Sequence, residues 1–375
     1  MQPPFEEFCV SQAPEDPVSA LTFPGDVQSK HPSHLLVSSW DKCVRLYDLS
    51  RCADGAASVQ VLRTFEHPAA VLYVTWINDN LAASACLDRR VRLLHLETGQ
   101  MAILGKHDQG VCRVCYDPHS QLLFSGSWDA TVKVWDPHGE PSDALKATLT
   151  GPGKVFAMDV SPPSTSLPAQ LIVAMSERAV YVYNTSLLRR ALDGHSDGSL
   201  EPEQRRESSL KFMLRDVKSM PDGAGYVTSS VEGRVAVEFL DTSEAAQAQK
   251  YAFKCHRKEV DGVDVVYPIH AVAFHPVYGT FATCGGDAHC ALWDPVAKKR
   301  IRQYALPSPV STATFSADGS VLVIASGADN MEEARPSESD AGNVGGVGVG
   351  GPGHVRLHVK YAVEDAKPKV KPVES

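Results

Sequence analysis

The chain has 375 residues, 43% of them hydrophobic and 22% charged, the balance expected of a folded, soluble protein. Its net charge of −9 argues against a protein that coats nucleic acid through bulk charge. No apolar run reaches the roughly 18 residues of a membrane span, and the opening MQPPFEEFCV has neither the basic nor the apolar region of a secretory signal. Nine scattered cysteines, an odd number, fit free thiols in a reducing compartment better than a disulfide framework.

In chain order, a short stretch near Phe5 to Val10 comes first, then the alternating SALTF (Ser19 to Phe23) and the strand–turn–strand SSWDKCVRLYDL (Ser38 to Leu49). The same pairing of an alternating strand with a hairpin then recurs. AVLYVTW precedes SACLDRRVRLLHL, GVCRVCY precedes GSWDATVKVWDP, and KVFAMDV precedes AMSERAVYVYN. DVKSM precedes SSVEGRVAVEFLD, and IHAVAF precedes CGGDAHCALWDP. The turns align on Asp41, Asp88, Asp129, Glu177, Glu232 and Asp287, at steps of 41 to 55 residues. A seventh unit follows, with VSTATF, VLVIASG and HVRLHVK (His354 to Lys360). Strand alternation at this period, with almost no amphipathic helix, predicts an all-β fold: a seven-bladed propeller of four-stranded blades in a single domain, residues 1–360. The seventh unit lacks an outer strand, so the N-terminal stretch is expected to supply it and close the ring. The Gly-, Ser- and acid-rich insertion 329–353 is expected to be a mobile loop, and 361–375 a disordered tail.

Catalytic and metal motifs are not assembled. The GxGxxG spacing at Gly348, Gly350 and Gly353 precedes a strand, so no helix N-terminus is offered to a phosphate. Cys112 and Cys115 sit three apart in a strand, which by strict alternation places them on opposite faces, poorly placed to share a metal. His67, His107 and His256 precede strand pairs with acidic turns, and are expected to brace Asp88, Asp129 and Asp287. No nucleophile is grouped with a base and an orienter, so the protein is expected to be no enzyme, with no cofactor and no metal.

The dipeptides Trp135-Asp136 and Trp293-Asp294 place the chain among WD-repeat propellers, a family of interaction platforms. Within that family, QRRESSLKF (Gln204 to Phe212), SSVEGRVAVEFLD and KYAFKCHR (Lys250 to Arg257), with SSWDKCVRLYD and GSWDATVKVWDP, resemble the checkpoint propellers called third budding-uninhibited-by-benzimidazoles proteins. The resemblance runs from about Val18 to Val359. A sister family of Gle/Rae-type mRNA export propellers, which bind a nucleoporin, shares the EGRVA and FKCHR elements.

The checkpoint resemblance implies a nuclear, kinetochore-associated spindle-checkpoint adaptor. It would bind phosphorylated Met-Glu-Leu-Thr repeats of a kinetochore scaffold and recruit a checkpoint kinase or pseudokinase through its Gle-binding segment. The mitotic checkpoint complex is a further implied partner; a membrane or direct nucleic acid is not. By position in the family motifs, Arg215, Arg234 and Lys254 match the phosphopeptide-reading cations. In a propeller, b–c turns and d-to-a connections share one face, which all three approach. The geometry of an Arg fork and a Lys ammonium suits the oxygens of a phosphothreonine. Trp40 and Trp128, just before b–c turns on that face, match the tryptophans that contact the Gle-binding segment. Arg205 and Arg206 are placed on the connection into the fifth blade, where they would add positive potential. Trp135 and Trp293 are expected to pack against a neighbouring blade. The alternatives are an mRNA export factor and a substrate receptor of a ubiquitin ligase; no helical adaptor-docking module flanks the propeller to favour the latter.

Overall fold

The computed structural model describes residues 6–7, 14–50, 59–327, 355–361 and 364–368. Seven four-stranded antiparallel sheets form the blades. Each runs from an inner strand a to an outer strand d. Blade 1 is Val18–Thr22, His34–Ser39, Cys43–Asp48 and Gln60–Glu66. Blade 3 is Val111–Asp117, Leu122–Ser127, Thr131–Trp135 and Leu145–Thr150. Blade 5 is Leu214–Ser219, Gly225–Ser230, Arg234–Phe239 and Tyr251–Lys254. Blade 7 is Val310–Phe315, Val321–Ser326 and Arg356–Tyr361, and its outer strand is Glu6–Glu7, which pairs with Val359 and His358. The N-terminal strand therefore closes the ring, as the missing outer strand required.

The core lies between blades, where alternate residues of one sheet meet those of the next. Leu122, Phe124 and Val134 of blade 3, for example, pack with Val155, Leu171 and Val173 of blade 4. Such sheet-to-sheet burial is the main stabilising term, and each large buried side chain contributes roughly 1.5–3 kcal/mol.

Two backbone devices repeat and fix the face on which the site lies. First, the residue after strand b donates its N–H to the connection before strand a: Trp40 to Pro17 (3.1 Å), Leu87 to Ala70 (2.9 Å), Trp128 to Gly110 (3.1 Å) and Val231 to Met213 (3.1 Å). The end of strand d bonds to the same turn, as in His67 to Lys42 (2.8 Å) and Cys255 to Gly233 (2.9 Å). Turns and connections are thereby laced into one face, called the top here. Second, the second residue of every inner strand is a bulge, at Ser19, Leu72, Cys112, Phe156, Arg215, His270 and Ser311. All seven line the mouth of the central channel, which encloses about 1020 Å³.

Three features depart from the sequence expectations. A helix, Thr185–Leu192, fills the c–d connection of blade 4, started by the Asn184 side chain accepting from Ser186 and Leu187 N–H. A two-stranded ribbon, Arg257–Val260 with Val263–Val266, stands between blades 5 and 6. The polar ending is not disordered from residue 361. Tyr361 completes a strand, and Glu364–Ala366 forms a single 3-10 turn in which Ala366 is buried with the core of blades 6 and 7. Asp365 there accepts from Tyr304 OH (2.9 Å) and pairs with Arg302 and Lys360 (both 3.2 Å). A segment too polar to make a core of its own is ordered by partners already held in place. The 329–353 insertion, with its GxGxxG spacing, and residues 369–375 lie outside the described residues.

Candidate partner-binding face

On the top face an apolar arc follows from the repeat itself. Trp40, Leu87 and Trp128 occupy equivalent positions in blades 1, 2 and 3, each tethered by the same turn-to-connection hydrogen bond. Trp40 is 43% exposed and Leu87 37%, while Trp128 is half-buried against Gly110. The arc continues through Phe156 at the channel mouth to Met213 and Phe212, 46% and 56% exposed on the connection into blade 5. Exposed tryptophan on a rigid turn is the side chain that anchors partner segments most often. Leu87, Phe212 and Met213 escaped the sequence reading. Their signal was alignment with Trp40 and Trp128 for Leu87, and position beside Arg215 for Met213 and for Phe212, the last residue of QRRESSLKF.

Blade 5 carries the cations. Arg234 opens strand c, and its directly opposed partner on strand d is Lys254. Directly opposed residues project to the same side of a sheet, so the two charges stand together at the top of the blade, Lys254 exposed and the Arg234 side chain 37% exposed. Arg234 Nε lies 3.5 Å from Glu232, too long for a good hydrogen bond, and is buried with no hydrogen-bond partner. Glu232 Oε1 is equally unsatisfied.

The turn between them demands glycine. Gly233 has φ +64°, and a Cβ there would stand 2.6 Å from the Cys255 carbonyl and 3.1 Å from those of His256 and Tyr267. The ribbon's base crowds this turn, since Tyr267 N–H donates to His256 O (3.0 Å). Lys42, Arg89 and Ala130 tolerate a left-handed backbone at the equivalent place in blades 1 to 3. From the ribbon comes a cation the sequence reading missed: Arg257 donates to Glu232 O (2.8 Å) and pairs with Asp264 (2.7 Å).

Arg215 shares the top edge of blade 5 but turns toward the channel. It is the bulged residue of strand a, exposed, with Nη2 3.0 Å from His270 Nδ1, the equivalent residue of blade 6. Strands a and c are two spacings apart, about 10 Å. The structure thus brings Arg234 and Lys254 together and sets Arg215 at the inner end of the same rim.

Arg205 and Arg206 are elsewhere. They belong to the outer strand of blade 4, Gln204–Glu207, paired with Tyr181 and Val180, and not to a connection. Arg206 donates to Phe239 O (2.6 Å) and Leu240 O (3.0 Å), tying blade 4 to blade 5. Arg205 pairs with Glu201 and lies over the Tyr181 ring at 5.7 Å. The charged QRRE has no apolar alternation, and only its partner strand reveals it as a strand.

Two of the three histidine braces form. His107 Nδ1 meets Asp129 (3.1 Å) while Nε2 meets Ser125 Oγ, which accepts from Trp135 Nε1 (2.8 Å). His256, Asp287, Thr283 and Trp293 repeat the arrangement in blade 6. His67 departs from it: its ring meets Phe65 O (3.0 Å) and Ser84 Oγ (2.9 Å), because Arg92 takes Asp88 instead. Burial pushes the His67 pKa down to about 4 and lowers that of His107 despite the nearby Asp129. Trp135 packs on Gly105 of blade 2, and Trp293 on Phe253 of blade 5, ring centroids 4.6 Å apart. The bulge at Cys112 breaks strict alternation, so Cys112 and Cys115 join the same core cluster and do not face opposite ways. Both thiols are buried, which pushes Cys112 up to about 12.

The ring of seven four-stranded blades defines a WD-repeat propeller. The WD domain, G-beta repeat pattern matches residues 8–48, 99–136 and 249–294. The chain is 42% identical to the mitotic checkpoint protein BUB3.1 of Arabidopsis thaliana over 88% of its own length and 90% of that protein's. It is 36% identical to mitotic checkpoint protein bub-3 of Caenorhabditis elegans, again over 88% and 90%. The poly(A)+ RNA export protein of Schizosaccharomyces pombe is 33% identical over 84% and 82%. The chain belongs to the Bub3 family of mitotic checkpoint propellers, and its role is a checkpoint role.

Proposed function

We propose that this chain is a non-enzymatic spindle-assembly-checkpoint adaptor working at kinetochores within the nucleus. Its top face binds a phosphorylated Met-Glu-Leu-Thr repeat of a kinetochore scaffold and recruits a checkpoint kinase or pseudokinase through a Gle-binding segment. The phosphothreonine rests on Arg234 and Lys254, and Arg215 meets the peptide where it runs inward toward the channel. The kinase segment lies on the arc of Trp40, Leu87 and Trp128. One observation carries the reading: two cations stand directly opposite across strands c and d, beside a glycine-only turn, and the guanidinium has a nitrogen that makes no hydrogen bond and lies 3.5 Å from Glu232. A phosphate offers acceptor oxygens to the exposed part of the guanidinium and to the Lys254 ammonium. Calorimetric titration with a phosphorylated repeat peptide tests this. Arg234→Ala should weaken binding roughly a hundredfold, about 2.7 kcal/mol, with an unchanged melting temperature. Unaltered affinity in the variant refutes the phosphate reader. The export reading has support in the 33% identical RNA export protein. Affinity purification from mitotically arrested cells separates the two, by recovery of kinetochore kinases or of a nucleoporin.

A further inference from the structure

The central channel is layered by the inner strands. Below the bulged residues of the mouth come the third residues, among them Tyr73, Arg113 and Asp216, and then the fifth, among them Asp159 and Lys218. Arg113 reaches past blade 4, whose third residue is only Ala157, to Asp216 (Nη2–Oδ1 2.9 Å), and lies 4.5 Å over the Tyr73 ring. Lys218 Nζ meets Asp159 Oδ1 at 3.0 Å. Both carboxylates are fully engaged. Asp216 Oδ2 accepts the Val272 N–H (2.9 Å) and Asp159 Oδ2 the Ser219 N–H (2.8 Å).

The cations are not matched in the same way. Arg113 Nε is buried and makes no hydrogen bond, and the Lys218 ammonium directs one of its three donors to Asp159. Lys154 and Arg215 add positive charge at the mouth, so four Lys and Arg side chains line the channel against two carboxylates. Burial opposes a charged Lys218, yet Asp159, Tyr73 and Asp216 together outweigh it and raise the pKa above the usual lysine value, so the ammonium stays protonated. The channel, mouth included, has a volume of about 1020 Å³, which leaves room for a small multivalent anion.

We propose that the channel below its mouth binds a small multivalent oxyanion of the phosphate class, held by Arg113 and Lys218 and drawn in past Lys154. A tetrahedral phosphate offers oxygens to a guanidinium edge and an ammonium at once. The site is separate from the rim of blade 5, where Arg234 and Lys254 stand.

Calorimetry on the full chain with inorganic tripolyphosphate is the test, with citrate as the carboxylate arm. One tripolyphosphate per chain is expected, at least tenfold weaker in Lys218→Gln and several-fold weaker in Lys154→Gln, an exposed position that leaves the core untouched. Arg234→Ala should leave this affinity unchanged, which separates failure here from failure of the phosphopeptide reading. Should Lys218→Gln not fold, a wild-type crystal soaked in tripolyphosphate must show it between Arg113 and Lys218. No heat with the wild type, citrate binding as tightly, an unaffected Lys154→Gln, or density only at the blade 5 rim overturns the proposal.

Discussion

Blades 3 and 5 share a backbone plan and use their turns in opposite ways. In blade 3 the turn acid is consumed inside the blade. Asp129 accepts from His107, from Thr131 Oγ1 (2.6 Å) and from the Asp108 N–H (2.9 Å), and the relay runs on through Ser125 to Trp135. Burial alone would raise the Asp129 pKa, but these donors bring it below the usual carboxylate value. In blade 5 the place of His107 is taken by Ser208, which makes the same backbone bond into the preceding turn and uses its hydroxyl on Leu210 N–H (3.2 Å). Glu232 therefore has no buried histidine to meet, and both it and Arg234 keep unsatisfied atoms. A turn whose charges are spent internally holds the blade together; one whose charges are not is, in the proposed function, the one that meets the ligand.

That contrast can be broken from either side. The largest effect is expected in blade 3, where Trp135→Ala removes a ring 1% exposed and the end of the relay. Its cost should be about 3–5 kcal/mol in equilibrium denaturation, with phosphopeptide affinity intact in the protein that remains folded. Arg234→Ala is the mirror case, with its hundredfold loss of phosphopeptide and no change in denaturation midpoint. Trp40→Ala should weaken the kinase segment by about 2 kcal/mol, roughly thirtyfold, and the phosphopeptide much less. A loss of equal size for both ligands would mean that the arc and the cation pair form a single site.

A further effect is a pH dependence that comes from buried histidines. The folded pKa of His67 is about 4 and that of His107 is also lowered, both by burial, against about 6.5 unfolded. Between these values the unfolded chain binds more protons, so stability rises with pH and is lost as pH falls from about 6.5 toward 4. Each group contributes a slope of at most about 1.4 kcal/mol per pH unit. Urea midpoints at pH 7.5, 5.5 and 4.5 would show it, and a flat profile would contradict buried neutral imidazoles.

Legibility followed the physics of each segment. The hairpins were readable because a half-buried strand must alternate and a tight turn must be polar, as TVKVWD beside GSWD shows. Two of the three histidine braces were readable because the acid, the histidine and the tryptophan recur in register. His67 was misread because Arg92, four residues beyond Asp88, competes for the same carboxylate at 2.5 Å, as Arg45 does for Asp41 at the same spacing in blade 1. Arg206 looked like a free cation and is a clamp between blades, since its acceptors are backbone carbonyls more than thirty residues away.

Taken by itself, the sequence determined the repeat, the number of blades and the closure of the ring by its first residues, because these depend on periodic burial and on an edge that must be paired. It also carried the family motifs on which Arg234, Lys254 and Trp40 were picked out. Tertiary structure alone decided which cations stand side by side and which are spent. Arg234 and Lys254 meet through strand register, Arg215 turns inward through a bulge, and Arg113 crosses the channel because its neighbour in the ring is an alanine. Those outcomes rest on contacts between residues distant in the chain, and no local pattern encodes them.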